Sequence, residues 1–277
     1  MSNRQEALKK QFKGFLKTPQ IWSKNGIFEY DLFTLSEDVP SEIFSEELPE
    51  PDTFVLGKRM EHFFKIFIER YSEEEILAHN EQIFLEKQTI GELDFLLKHK
   101  SSHQITHVEL VFKFYLYDPE IPAEELRWIG PNRKDRLAKK LERLSKKQFP
   151  LLRSPATEKL LKRLELSAED ISQKLCFKAC LFVPWQLRKE TFKEVNPEAI
   201  QGFWIKAEDF TAAQFGAALF HSPKKPDWSV FPQDNTTWTD YSHIKKEIEA
   251  MLAAKRAPLL WMKTQKGEFE RFFVVWW

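Results

Sequence analysis

The sequence predicts an α/β fold with an α+β C-terminal region, and three features support this prediction. Apolar residues recur at three- and four-residue steps over residues 58–71, which is the spacing of an amphipathic helix. The run Ile105–Tyr117 is rich in β-branched and aromatic residues and has apolar positions on both faces, which is typical of a central, doubly covered strand. A leucine stripe that begins at Leu137 then marks a second helix through Gln148, stopped by Pro150.

Two extended runs, Gln82–Lys87 and Glu92–Lys98, precede the central strand. The intervening residues 88–91, Gln-Thr-Ile-Gly, suit the turn of a β-hairpin. The order predicted for residues 55–155 is therefore helix, hairpin, long central strand, helix.

The rest of the chain is predicted to form an N-terminal helical segment with an acidic connector (residues 1–54) and a Trp-rich C-terminal region (residues 156–277). Residues 36–52 carry seven acidic side chains and three prolines and no basic residue, which indicates a solvated connector. For the C-terminal region we expect a strand at Leu175–Val183, helices around 208–220 and 241–254, and a hairpin of Pro258–Lys263 with Phe269–Trp277.

The composition limits the kinds of partner. The 277 residues are 42% hydrophobic, enough for a substantial core, and 42 basic residues balance 42 acidic ones, so nucleic-acid binding requires a local basic patch. No apolar run resembles a signal peptide or a membrane span, and we expect a cytoplasmic protein with no membrane partner. Cys176 and Cys180 would lie about 13 Å apart on a strand, too far for a disulfide, and are expected to be buried thiols.

A row of ionisable side chains on the central strand is the main chemical feature of the sequence. His107, Glu109 and Lys113 are all odd-numbered, so the two-residue period of a strand places them on one side of the sheet. The even-numbered residues between them are apolar and should pack against a helix layer. On the preceding strand Glu92 and Asp94 share one face, so neighbouring strands would form a one-sided cluster of carboxylates and a lysine.

Such a cluster is the minimum needed to hydrolyse a phosphodiester. Two carboxylates can hold Mg²⁺ (or Mn²⁺), which generates hydroxide at neutral pH and neutralises charge in the transition state. A lysine adds a positive charge that can hold the attacking water or the phosphate.

The segment Gly91-Glu92-Leu93-Asp94, followed by the strand from His107 to Leu116, resembles the Asp, Glu and Lys motif of PD-(D/E)XK nucleases. It is more closely similar to an uncharacterised bacterial family, domain of unknown function 1853. The resemblance implies that this family belongs to the PD-(D/E)XK superfamily. The resemblance covers about 100 of the residues and implies a restriction-endonuclease-like core. It also implies that Asp94 and Glu109 are metal ligands, that Lys113 is the catalytic lysine and that Glu61 is an accessory metal ligand.

One spacing departs from that motif. The usual acid and lysine are two residues apart, about 6.6 Å, whereas Glu109 and Lys113 are four apart, about 13 Å in a regular strand, and Val111 stands where the acid should be. Activity then requires a distortion, most simply a β-bulge near Val111, or help from Gln148, which continues the leucine stripe of its helix. The remaining alternative is a site that has lost its chemistry.

Each candidate also has a structural interpretation. Glu61 lies near Lys58 and Lys65 in sequence and could pair with them on the helix surface. Glu109 and Lys113 could form structural ion pairs, and His107 could be a buried histidine with its hydrogen bonds satisfied. Gln148 could face water near the end of its helix.

The second helix also carries a local excess of basic residues that could contact a phosphate backbone or simply be solvated. Four of them are the candidate nucleic-acid contacts: Arg133, Lys139, Arg143 and Lys146. The sequence thus predicts a Mg²⁺-dependent phosphodiesterase (nuclease) acting on DNA or RNA. The alternatives are a catalytically inactive module of the same fold that binds nucleic acid or a protein, and an assembly protein that uses its Trp-rich region as an interface.

Overall fold

A computed structural model describes residues 3–36 and 46–277 and contains one mixed sheet of ten strands. The strands are β1 Asp31–Leu32, β2 Glu74–Leu85, β3 Gln88–His99, β4 Ile105–Tyr117, β5 Trp128–Ile129, β6 Ile171–Pro184, β7 Ile200–Lys206, β8 Leu219–His221, β9 Leu259–Lys263 and β10 Phe269–Val275.

The α-helices are α1 Asn3–Lys17, α2 Leu56–Tyr71, α3 Leu137–Arg143, α4 Phe149–Leu151, α5 Glu158–Arg163, α6 Ala212–Phe215 and α7 Tyr241–Ala253. A π-helical turn, Leu144–Gln148, joins α3 to α4, so residues 137–151 form one continuous helical segment. None of the helices in the described ranges combines the length and the apolarity that crossing a bilayer requires.

The strand order across the sheet is β2-β3-β4-β6-β7-β10-β9-β8, with β1 added to β6 and β5 added to β4. Strands β4 and β6 are parallel and stay in register from Ile105↔Ile171 to Leu116↔Phe182. On its other side β4 pairs with β3 only over residues 105–108 and with β5 only at residues 116–117. Between these contacts, residues 109–115 face no strand of the described chain on that side.

Two hydrophobic layers cover the middle of the sheet. The even-numbered apolar residues of β4, from Val108 to Phe114, pack with α1 and α2, which confirms the helix layer predicted for that face. The opposite face packs Val111 and Tyr115 against the helical segment through Leu137, Leu144 and further residues. The helical segment therefore lies over the side of β4 that carries Glu109.

The predicted order of elements in residues 55–155 is confirmed, as are the central strand and the terminal hairpin. The turn of the β2–β3 hairpin, however, is at Glu86 and Lys87 and not at residues 88–91, which belong to β3. Glu86 adopts φ 55°, the left-handed conformation that a two-residue hairpin turn requires, although glycine is the usual residue there.

The helix predicted around residues 208–220 is wrong except for the four residues of α6. Thr211 is extended before α6, and α6 ends at Gly216. These breaks let Phe210, Phe215 and Phe220 all reach the cluster around Phe272, which a single straight helix would not allow. Tertiary packing overrides the local helical pattern here.

Two other predictions need correction or lie outside the description. Pro150 does not stop the second helix, which continues to Leu151. Proline cannot donate an N–H to the helix, and the wide π turn directly before it accommodates this missing hydrogen bond. Of the acidic connector, residues 37–45 lie outside the described residues.

Cys176 and Cys180 are free thiols buried on β6, and burial raises the pKa of Cys176 to about 11.

Strands from the predicted core segment (55–155) and from the predicted C-terminal region (156–277) lie in the same sheet. Strand β6 of the later segment is the long parallel neighbour of β4. The candidate residues on β4 are therefore supported from both segments.

Candidate active site

Asp94 and Glu109 meet at the point where β3 separates from β4. Phe95 pairs with Val108, which places Asp94 opposite Glu109 at the next position of the antiparallel ladder. Beyond this point the ladder ends, and Asp94 Oδ2 accepts a hydrogen bond of 2.9 Å from the Leu110 N–H. The carboxylate takes the place of the β3 carbonyl that a continuing ladder would have provided.

Glu109 is fully buried, and both of its carboxylate oxygens accept hydrogen bonds. Gln173 donates its amide to His107 Nδ1 (3.1 Å), so the proton of the neutral imidazole is on Nε2. His107 Nε2 then donates to Glu109 Oε1 over 3.1 Å. Gln148 Nε2 donates to Glu109 Oε2.

The two carboxylates are costly to ionise in this environment. Burial raises the pKa of Asp94 to about 8, and the negative charge of Glu109 adds to the effect. Burial also raises the pKa of Glu109 to about 8, opposed by Lys140 and by the backbone of Asp94. Burial lowers the pKa of His107 to about 4, so this imidazole is neutral at physiological pH. A cation beside the pair would offset the cost of charging it.

Lys140 on α3 is the lysine whose charge acts on the pKa of Glu109 and Asp94. It is half-buried, and its Nζ donates to Gln148 Oε1 over 2.8 Å. Burial lowers the pKa of Lys140, while the charges of Glu109 and Asp94 raise it. Lys140, Gln148 and Glu109 thus form a hydrogen-bonded chain from the helical segment to the strand.

The π turn lies directly beside this chain. Its residues Leu144–Gln148 follow α3, and the Phe149 N–H bonds to the Leu144 carbonyl five residues back. Leu144 is buried against the sheet, and Gln148 lies at the end of the turn. Wide turns of this kind are frequent at functional sites, and they change the direction of side chains relative to a regular helix.

Lys113, the predicted catalytic lysine, lies elsewhere. Its Nζ donates to Asp135 Oδ2 over 2.7 Å, and both side chains are more than one-third exposed. The expectation of a bulge near Val111 is wrong, because β4 keeps an unbroken register with β6 through that position. The straight strand keeps Lys113 and Glu109 about 13 Å apart. The expected convergence of Lys113 with Asp94 and Glu109 is not observed among the described contacts.

Glu61, the predicted accessory ligand, is bound to a lysine of its own helix. Lys58 Nζ is 2.8 Å from Glu61 and 2.7 Å from Glu92, so it bridges α2 and β3. The pairing of Glu61 with Lys58 agrees with the structural interpretation of this residue. Burial raises the pKa of Glu61, and its charge is close enough to raise that of Asp94.

The candidate nucleic-acid contacts fall into two groups. Arg133 is used within the protein, since it pairs with Asp118 at 2.9 Å and lies 4.4 Å over the Trp277 ring. Lys146 pairs with Glu142 on the same helical segment. Arg143 and Lys139 are exposed, and Arg143 is near enough to lower the pKa of Glu109.

Sequence reasoning missed Lys140 as a member of the site and missed Gln173 altogether. Lys140, Leu144 and Gln148 follow one another at four-residue steps, so a polar residue on each side of a buried leucine was a readable sign of a polar contact to the sheet. Gln173 lies opposite His107 in the β4–β6 register and is visible only once that parallel pairing is known.

The carboxylate pair suits a magnesium ion in its donor chemistry. Mg²⁺ is commonly held by one or two carboxylates and keeps several waters. Within the described residues no group of three or more His, Cys, Asp or Glu side chains is arranged to hold a metal ion. A cation here would therefore be held by Asp94 and Glu109 as a pair, with its other ligands from water or substrate.

Comparison with known proteins gave a single result. No curated protein and no solved structure matched the chain. A family model described as a domain of unknown function, DUF1853, matches residues 10–275, which include every candidate residue above. The chain belongs to the DUF1853 family.

Proposed function

We propose that the protein is a metal-dependent phosphodiesterase that cleaves nucleic acid, with Asp94 and Glu109 as the ligands of Mg²⁺ or Mn²⁺. The observation that carries the proposal is the pair of adjacent buried carboxylates, each with its pKa raised to about 8, beside a half-buried lysine. Buried acids of like charge destabilise a fold, so their presence at the edge of an interrupted ladder favours a functional role.

The helical segment supplies the lysine in this proposal. Lys140 takes the role first expected of Lys113, because the charges of both carboxylates act on it and Gln148 links it to Glu109, whereas Lys113 is bound to Asp135. Its ammonium would stabilise the negative charge that develops on the phosphoryl oxygens. Lys113 would bind substrate without taking part in the bond-breaking step.

The remaining polar residues position Glu109. His107 and Gln148 each donate to one of its oxygens, and Gln173 fixes the His107 tautomer. These contacts hold the carboxylate plane while leaving each oxygen a second lone pair for a cation. A bound Mg²⁺ would supply a water of lowered pKa and neutralise charge on the scissile phosphate.

A cleavage assay tests the proposal. End-labelled single-stranded and double-stranded DNA and RNA are incubated with the protein in Mg²⁺ or Mn²⁺, and products are resolved by electrophoresis. We expect cleavage by the wild type and a loss of about 10²-fold or more in Asp94→Asn and Glu109→Gln, because each removes a charge that holds the cation. The matched control is Lys162→Met, since Lys162 is an exposed residue of α5 paired only with Glu158 in the described contacts.

One observation favours the alternative of a non-catalytic binding module. Both Glu109 oxygens and one Asp94 oxygen already accept hydrogen bonds within the protein, as structural polar groups do. Wild-type protein that binds oligonucleotides but cleaves none of them in either metal would favour this alternative and reject the enzyme.

A further inference from the structure

A cleft of about 980 Å³ opens next to the unpaired part of β4. One wall is the loop of residues 52–57, and the other is the loop of residues 130–135. The floor includes Phe112, Lys113 and Phe114, which belong to the stretch of β4 that lacks a described strand on the β3 side. The cleft is thus an opening beside the part of β4 from Phe112 to Phe114, and the buried Glu109 is not among its lining residues.

Both walls are held by internal hydrogen bonds. Arg59 Nη1 donates to the Thr53 carbonyl over 3.0 Å, and the Val55 N–H donates to the Thr53 hydroxyl over 3.0 Å. In the opposite wall the Asn132 side chain accepts from the Ala257 N–H at 2.9 Å. The cleft is therefore a preformed feature, and a ligand would meet the loops in ordered positions.

Aromatic side chains line this cleft. Phe54 is 84% exposed at the end of one wall, the largest exposure among the described large hydrophobic residues. Trp228 lies in the cleft and packs edge-on against Phe114, with ring centroids 5.2 Å apart. An exposed phenylalanine such as Phe54 provides a stacking surface for a planar group.

The cleft also carries three lysines, Lys113, Lys134 and Lys225, against two acids, Asp52 and Asp135. Asp135 is paired with Lys113, and both are accessible enough for an anion to compete for the lysine. Lys225 lies 5.7 Å from the centre of the Trp228 ring, so positive charge and aromatic side chains occur together in the cleft. Positive charge combined with stacking surfaces is typical of sites for single-stranded nucleic acid.

We propose that this cleft binds an unpaired segment of a nucleic-acid strand. The inference rests on the proposed function and names its substrate class. A base would stack on Phe54, and backbone phosphates would contact Lys113, Lys134 and Lys225. Unpaired bases are favoured over a duplex, because their faces are free to stack on aromatic side chains.

Binding is measured separately from cleavage. Fluorescence anisotropy in EDTA compares three labelled probes: a 12-nucleotide DNA strand, the same sequence as RNA, and a DNA hairpin with a blunt stem. We expect the wild type to bind an unpaired strand more tightly than the hairpin, and the tighter of the DNA and RNA arms identifies the sugar. Phe54→Ala should weaken strand binding by about tenfold, since it removes one stacking surface. Lys134→Ala should weaken binding and reduce its salt dependence.

The matched control is Phe84→Ala, because Phe84 is also an exposed aromatic residue (51%) but lies on the β2–β3 hairpin away from the cleft. Equal or tighter binding of the blunt hairpin, absence of strand binding, or equal effects of Phe54→Ala and Phe84→Ala would overturn the assignment of the cleft. Strand binding that depends on Phe54, without cleavage in Mg²⁺ or Mn²⁺, supports the cleft and rejects only the proposed catalysis. Cleavage confined to duplexes and unaffected by Phe54→Ala overturns the cleft assignment and leaves the catalysis in place.

Discussion

The two ends of the polar row on β4 differ in environment although they lie on the same face of one strand. Glu109 is fully buried and joined to His107 and Gln148, whereas Lys113 is 38% exposed and paired with Asp135. The strand between them is straight. The buried end has raised carboxyl pKa values, and the exposed end opens into the cleft.

This difference indicates a division of roles along the strand. At the buried end water does not screen a charge, so the carboxylates and Lys140 interact strongly, as would a cation bound beside them. At the exposed end water screens each charge, and a lysine contributes affinity for a phosphate more than stabilisation of a transition state. We therefore propose that Lys140 of the helical segment takes part in the chemistry and that Lys113 of β4 contributes to binding.

The largest expected effect separates the two lysines kinetically. Lys140→Met should lower kcat by about 10²- to 10³-fold with little change in KM, because it removes a charge next to the reacting phosphate. Lys113→Met should instead raise KM several-fold and leave kcat nearly unchanged. Steady-state kinetics on a labelled oligonucleotide measure both, with Lys162→Met as the control. The opposite pattern, with kcat lost only in Lys113→Met, would restore the assignment expected from the sequence.

A second prediction concerns the dependence of stability on pH without metal. The folded-state pKa values of Asp94 and Glu109 lie near 8, above the ordinary values near 4, so the folded state binds more protons than the unfolded state between these limits. Their contribution to stability is complete below about pH 4 and is lost as pH rises through about 8, at on the order of 1 kcal/mol per pH unit. Glu109→Gln should therefore become more stable relative to the wild type as pH rises.

Urea unfolding of wild type and Glu109→Gln at pH 5, 7 and 9 measures this change. We expect similar free energies of unfolding at pH 5 and an advantage of roughly 3 kcal/mol for the variant at pH 9. Lys113→Met serves as the comparison from the other end of the row, with no comparable trend. A constant difference between wild type and Glu109→Gln across the three pH values would show that the buried carboxyl is not perturbed.

The smallest expected effect concerns the ion pair at the exposed end. A double-mutant cycle with Lys113→Met and Asp135→Asn should give a coupling energy below about 1 kcal/mol, since exposed pairs are screened by water. Chemical denaturation of the four proteins measures it. A coupling of several kcal/mol would mean that Lys113 is held for structural reasons and is not available to a phosphate.

The sequence predicted the parts of this site that depend on local periodicity. The strand Ile105–Tyr117, its apolar even face and its polar odd face follow from a two-residue repeat, and the structure confirms that strand with the same bounds. Gln148 was identified because it continues the leucine stripe of its helix as a polar residue, and it contacts Glu109. These features can be read without knowing which elements are neighbours.

What the sequence could not provide depends on contacts between distant segments and on irregular backbone. The role of Lys140 requires the π turn and the packing of residues 137–151 over β4, and no local pattern specifies a π turn. Gln173 requires the parallel pairing of β4 with β6 across 66 residues of chain. The bulge expected at Val111 was inferred from a motif spacing, while the straight backbone is fixed by twelve paired positions with β6.

Cation binding by the Asp94 and Glu109 pair is the central claim, and calorimetric titration with Mn²⁺ at pH 7 tests it most directly. Titration in two buffers of different ionisation enthalpy also counts the protons released. The wild type should bind one Mn²⁺ with net proton release, because carboxyls whose pKa values lie near 8 must deprotonate to become ligands. Asp94→Asn and Glu109→Gln should each weaken binding by at least tenfold, and Lys113→Met should not. Absence of binding by the wild type, or binding that neither carboxyl substitution weakens, would contradict the account.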